Sequence, residues 1–276
     1  MRKMVFTSKL FKLIDGFQFT EGPTWHRDGF LLFSDIPANR IFKINEDNGC
    51  EVWRVDSGNS NGLAFDRQGR LIACEHGNRR VSRTETDGTI SVIADRYQGK
   101  RLNSPNDCVC RSDGMIFFSD PPYGLEGRPQ ELPFHAVFAV KPGNEPIPIV
   151  THFEKPNGLA FSPDEQILYI ADTQRERVMA FDVENDGTVK NERIFMQVGR
   201  PDGMKTDRDG NLYIASTEGI VVVSPAGQRI ETLSIPERPS NCAFGSEEAQ
   251  TLYITARARV YKIQTKNPGC FFQTRN

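Results

Sequence analysis

No stretch of the chain approaches the ~18 consecutive apolar residues that a membrane span requires. That excludes a helical membrane protein. Charge of one sign is not in excess either. The formal net charge is −2 with 25% charged residues, so nothing draws the protein toward nucleic acid or an anionic membrane, and neither is an expected partner. The N-terminus, MRKMVFTSKLFKL, has two early basic residues but no continuous apolar stretch and no small-residue cleavage site, so it does not read as a secretion signal. The six cysteines (50, 74, 108, 110, 242 and 270) form no CxxC pair, and they are expected to be reduced, mostly buried thiols of a cytoplasmic protein. There is no GxSxG elbow for a serine nucleophile. The four histidines (26, 76, 135 and 152) show no HExxH spacing. Neither tryptophan, Trp25 or Trp53, is followed by Asp, which argues against a WD-repeat scaffold. Helical periodicity is scarce throughout.

What the chain does have is an internal repeat. Segments beginning at Glu21, Asn61, Asn106, Asn157 and Asp202 read EGPTWHRDG, NGLAFDRQG, NDCVCRSDG, NGLAFSPDE and DGMKTDRDG. Four of them carry Gly eight residues after the first position; the fourth has Glu165 there. A short apolar run follows each: FLLFSD, RLIACE, MIFFSD, ILYIAD and NLYIAS. A sixth copy, SNCAFGSEEAQTLYITA (240–256), fits with a small insertion that leaves Ser240 or Asn241 as the first position. Each unit adds two more strand-like runs, as in IFKI (41–44) with CEVWRV (50–55) and VMAF (178–181) with ERIFMQV (192–198). Asp-Gly and Gln-Gly supply the hairpin turns. Six units of four antiparallel strands predict an all-β, six-bladed β-propeller, with residues 1–276 as one domain. The last unit lacks a fourth strand, and LFKLIDGF (10–17) precedes the first. The expectation is that residues 10–17 pair with the strand holding Val260 and Tyr261 and close the ring.

In a propeller the first strands line the central channel in parallel, so their starting residues form a ring at one mouth. That ring is Glu21, Asn61, Asn106, Asn157, Asp202 and Ser240 or Asn241. The second strands return to the same mouth, which brings Asp35, Glu75, His76, Asp120 and Asp172 near it. Carboxylates and amides converging on one axis suit a hard divalent cation, Ca²⁺ foremost, with Mg²⁺ and Mn²⁺ compatible; carboxylates can also hold Zn²⁺. Read singly, Asn-Gly and Asp-Gly at these places are also tight entries into strands. His76 is a candidate substrate contact or a polar loop residue. Tyr123 belongs to PPYGLEGRPQELPF (121–134), the longest connection on that face, which reads as a lid or a solvated insertion.

The motifs EGPTW (21–25), RLNSPND (101–107), KPNGLAFS (155–162) and RPDGM (200–204) resemble the gluconolactonase, regucalcin (senescence marker protein) and luciferin-regenerating enzyme family over nearly the whole chain. The resemblance implies hydrolysis of a small-molecule sugar lactone. It also implies one divalent cation held by Glu21, Asn157 and Asp202, with Asp202 as general base and Asn106 on the sugar. Animal members place an Arg two residues before that Asn, where this chain has Ser104; the nearest Arg is Arg101, and FFSDPPYG (117–124) resembles the bacterial lactonase branch instead. Two other readings stand beside this one: a phosphotriesterase-like metal hydrolase on the same fold, and a propeller that only binds proteins. No oligomeric state is implied.

Overall fold

The computed structural model describes residues 4–45 and 49–270. Strand dominates it, and the only helical element among the described residues is a turn of 3₁₀ helix at Thr173–Arg175. No helix among the described residues is long and apolar enough to cross a membrane. Six four-stranded antiparallel sheets form the blades of a β-propeller. Their innermost strands are Thr20–His26, Ser60–Phe65, Cys108–Cys110, Pro156–Phe161, Met204–Thr206 and Asn241–Gly245. The last of these neighbours the first, which completes the circle.

The strands are apolar on both faces because every blade is packed between two others. Ile116 and Phe118 face the preceding blade, where Ile72 and Cys74 lie, while Phe117 between them faces Phe161 and Leu168 of the next. Period-2 side-chain alternation therefore feeds two cores rather than a core and solvent. Burying a Phe in such a layer contributes ~1.5–3 kcal/mol. All six cysteines are free thiols, and Cys74, Cys108, Cys110 and Cys242 are buried.

Ring closure is as expected from the sequence. Phe11–Asp15 is the outer strand of the last blade, with Lys12 opposite Tyr261 and Ile14 opposite Val260. The repeat's turn is also explained. The residue at its end adopts positive φ in each blade, at Gly29, Gly69, Gly114, Glu165, Gly210 and Ala249. Its N–H donates three residues back, as from Gly69 to Asp66 O and from Ala249 to Ser246 O. Gly fits this left-handed position without strain, so four copies have it.

The register of the sixth repeat is settled by the backbone. Gly62 N donates to Asn106 O in the next blade, and Gly203 N donates to Ser240 O in the same way. Ser240 is therefore the first position and Asn241 the second, with one residue inserted before the turn.

Candidate active site

Four of the six first positions form one hydrogen-bonded arc at the channel mouth. Asn61 Nδ2 donates to Asn106 Oδ1 at 2.7 Å, and Asn106 Nδ2 donates to Asn157 Oδ1 at 2.6 Å. Asn157 in turn hydrogen-bonds the Asp202 carboxylate. Asn61, Asn106 and Asn157 are all buried. Neither a turn nor a strand entry requires carboxamides to link side chain to side chain around an axis.

Three carboxylates gather here. Glu21 is buried, and its Oε2 accepts from Gly22 N at 2.6 Å and Asn241 Nδ2 at 3.1 Å. Burial pushes its carboxyl well above the ordinary range, and the charges of Asp202 and Asp107 push it further. Asp202 keeps 16% of its side-chain surface open at the mouth. Its pKa is pushed up to about 7, chiefly by desolvation and then by Asp107, against the pull of Arg238. Arg238 stands 3.8 Å from Asp202 Oδ2, too far for a hydrogen bond. Asp107, immediately before its strand, is buried and raised by that burial, while Lys205 draws it down.

Ser240 does not join the ring. Its hydroxyl lies 2.8 Å from Thr20 O and 3.1 Å from Thr255 O, its one hydrogen shared between carbonyls of the first and last blades. Asn241 reaches the axis in its place.

Of the residues that end the second strands, His76 alone turns into the arc. Its Nε2 lies 3.2 Å from Asn106 Oδ1 and 3.3 Å from Asn61 Nδ2, so it donates to the first in one neutral tautomer and accepts from the second in the other. Desolvation lowers its pKa to about 4, which keeps the ring neutral. The four carboxylates at these strand ends are committed elsewhere. Asp35 accepts from Gln18 N and Phe19 N, and Asp120 from Asn103 N. Glu75 is held by Arg54, Arg80, Ser82 and Asn78, and Asp172 by Arg175 and Arg177.

The 121–134 segment lies over this same mouth and is docked rather than solvated. Gly124 N donates to Ser104 Oγ at 2.9 Å. Arg128 donates to Gly77 O at 2.6 Å and His76 O at 3.0 Å, and also to Gly124 O. Leu125 and Leu132 are buried. The Tyr123 hydroxyl meets Thr173 and Asn157, and Lys155 Nζ sits 5.5 Å from the centre of its ring.

A cation fits this donor set. No group of three or more His, Cys, Asp or Glu side chains with metal-site geometry occurs among the described residues. The mouth instead mixes carboxylates with carboxamides, all hard oxygen donors. The charges of Asp202 and Asp107 raise the pKa of Glu21, Asp107 also raises that of Asp202, and the Arg238 guanidinium stands 3.8 Å from Asp202. A divalent ion would offset that buried negative charge. Glu21, Asn157 and Asp202 are the residues that would hold it.

The chain is similar to a family of known proteins. The SMP-30/gluconolactonase/LRE-like region matches residues 19–258. A gluconolactonase from Zymomonas mobilis is 34% identical, the match covering 91% of this chain and 80% of the relative. A 6-deoxy-6-sulfogluconolactonase from Pseudomonas putida is also 34% identical, covering 92% of this chain and 90% of its own. The solved structure of a Xanthomonas campestris gluconolactonase superposes with a TM-score of 0.88 at 35% identity, over 95% of this chain and 94% of that one.

Proposed function

The chain belongs to the SMP-30/gluconolactonase/LRE-like family, and from that membership we propose that it is a lactonase, opening a sugar lactone by hydrolysis with Asp202 as general base. The observation that carries the reading is the carboxamide arc ending on Asp202, beside a second carboxylate, Glu21, at a solvent-reached mouth. Glu21, Asn157 and Asp202 would hold a divalent cation, Ca²⁺ before Mg²⁺, Mn²⁺ or Zn²⁺. When bound, such an ion supplies polarisation of the lactone carbonyl and relief for the developing oxyanion.

The chain's own residues do the rest. Asn106 and Asn61 present amide groups to the hydroxyls of a sugar ring. Neutral His76 braces the arc, its Nε2 lying between Asn106 Oδ1 and Asn61 Nδ2. Tyr123, from the docked 121–134 segment, stands at the mouth beside Asn157 with its ring partly exposed, placed to contact the sugar. Asp202 takes one proton from the attacking water as its oxygen bonds to the carbonyl carbon. The ring C–O bond then breaks, the proton passes to the departing ring oxygen, and the product is a hydroxy acid. Water and lactone account for every atom, and no covalent enzyme intermediate is needed.

A panel of sugar lactones, an aryl ester and a phosphotriester tests the reading, run as purified, after chelation, and with each divalent ion restored. Lactone hydrolysis lost to chelator and recovered with one ion is the expected result. Phosphotriester turnover exceeding lactone turnover would favour the alternative hydrolase, and lactone hydrolysis indifferent to chelator would remove the cation.

A further inference from the structure

The second position of the repeat is Gly in four blades, Gly22, Gly62, Gly158 and Gly203, but Asp107 in the third and Asn241 in the sixth. The third and sixth blades of a six-membered ring face one another, so these two side chains enter the channel from opposite walls. They meet: Asn241 Nδ2 donates to Asp107 Oδ2 at 3.4 Å, and also to Glu21 Oε2 at 3.1 Å. An amide nitrogen has two hydrogens, so it can serve both carboxylates. The two residues are anchored alike, Cys108 N donating to Asp107 Oδ1 at 2.9 Å and Cys242 N to Asn241 Oδ1 at 2.8 Å. The glycines clear the space. A Cβ on Gly62 would lie 2.5 Å from Asp107 Oδ1, and one on Gly203 would lie 1.9 Å from Asn241 Cγ.

We propose that Asn241, braced against Asp107 across the axis, is a positioning residue that fixes the Glu21 carboxylate for cation binding. Both hydrogen bonds to Glu21 fall on Oε2, from Gly22 N and from Asn241. That pins one oxygen and leaves Oε1 uncommitted to any described donor. Asp107 orients the amide and adds negative charge beneath the ring. Without Asn241, two buried carboxylates would face each other with no donor between them, and Glu21 would be held by Gly22 N alone. The inference rests on the cation reading above.

Calorimetric titration of the chelator-treated protein with Ca²⁺ tests it, on wild type, Asn241→Ala and the isosteric Asn241→Asp, with melting temperature as the fold check. Removing a group that orients a ligand typically costs about 10–100-fold in metal affinity. The expected result is a loss of that size in both variants. The aspartate variant is decisive, because added negative charge alone would tighten Ca²⁺, whereas a lost donor loosens Glu21. Wild-type affinity in both variants, or tighter binding by Asn241→Asp, would overturn the proposal while leaving the cation reading intact. A wild type that takes up no cation would remove the reading itself.

Discussion

The docking of the 121–134 segment is testable at Gly124. A Cβ there would stand 2.5 Å from His76 Cβ, 2.6 Å from Cγ and 2.9 Å from Nδ1. Carbon atoms in contact sit ~3.5–4.0 Å apart, so about 1 Å must be found. His76 cannot readily give it, since its buried ring is held at Asn106. The segment must lift instead, and the Gly124–Ser104 hydrogen bond is the first to go. Overpacking costs roughly 1–3 kcal/mol, and a neutral hydrogen bond adds about 0.5–1.5. Gly124→Ala should therefore lose about 2–4 kcal/mol, or about 3–7 °C in Tm for a domain of this size. Tyr123 is the next residue, so KM for lactone should rise as well. Gly124 lies outside the positive-φ region, which makes the sign informative. If the segment were solvated, alanine would stabilise by about 0.4–1 kcal/mol through the unfolded chain. An unchanged or raised Tm, read by differential scanning calorimetry, would refute the docking.

Three further outcomes follow. His76 has its pKa lowered from 6.5 to about 4, so its contribution to stability is complete above pH 6.5 and lost as pH falls toward 4. That is worth about 3 kcal/mol, and the Tm gap between wild type and His76→Gln should narrow from pH 7 to pH 4.5. Asp120 is the opposite case, raised by burial from 3.8 to about 7: the folded state keeps a proton that the unfolded chain releases, so stability is lost as pH rises through 7. Asp120→Asn should gain up to about 4 kcal/mol relative to wild type between pH 4 and pH 8, measured by urea unfolding. Asn106→Ala should raise KM for lactone about 5–100-fold, the value of one buried hydrogen bond to substrate, while calorimetry still detects the cation.

The fold was legible because the repeat carries its own punctuation. A left-handed turn residue eight places after the strand entry favours Gly, and burial of both blade faces demands the apolar runs after it. The sixth register was not legible. Ser240 and Asn241 are both small and polar, and only the hydrogen bond from Gly203 N to Ser240 O separates them. The ring at the mouth could be read because equivalent repeat positions must converge. Asp107 was missed although the signal was present: it stands where four other repeats have Gly. The second-strand carboxylates misled for the converse reason. Proximity to the mouth says nothing about partners, and Asp35, Glu75, Asp120 and Asp172 are each tied to backbone amides or to cationic side chains.

The central claim is that Asp202 moves the proton in lactone opening, and Asp202→Asn puts it to the most direct test. Asparagine keeps an oxygen for the cation but loses the base and one charge. The measurement is the initial rate of glucono-δ-lactone hydrolysis at saturating cation, corrected for spontaneous opening. A general base contributes about 10²–10⁴-fold, so turnover should fall by that much. Full activity in Asp202→Asn at saturating cation would contradict the account and move the search for the base to Glu21.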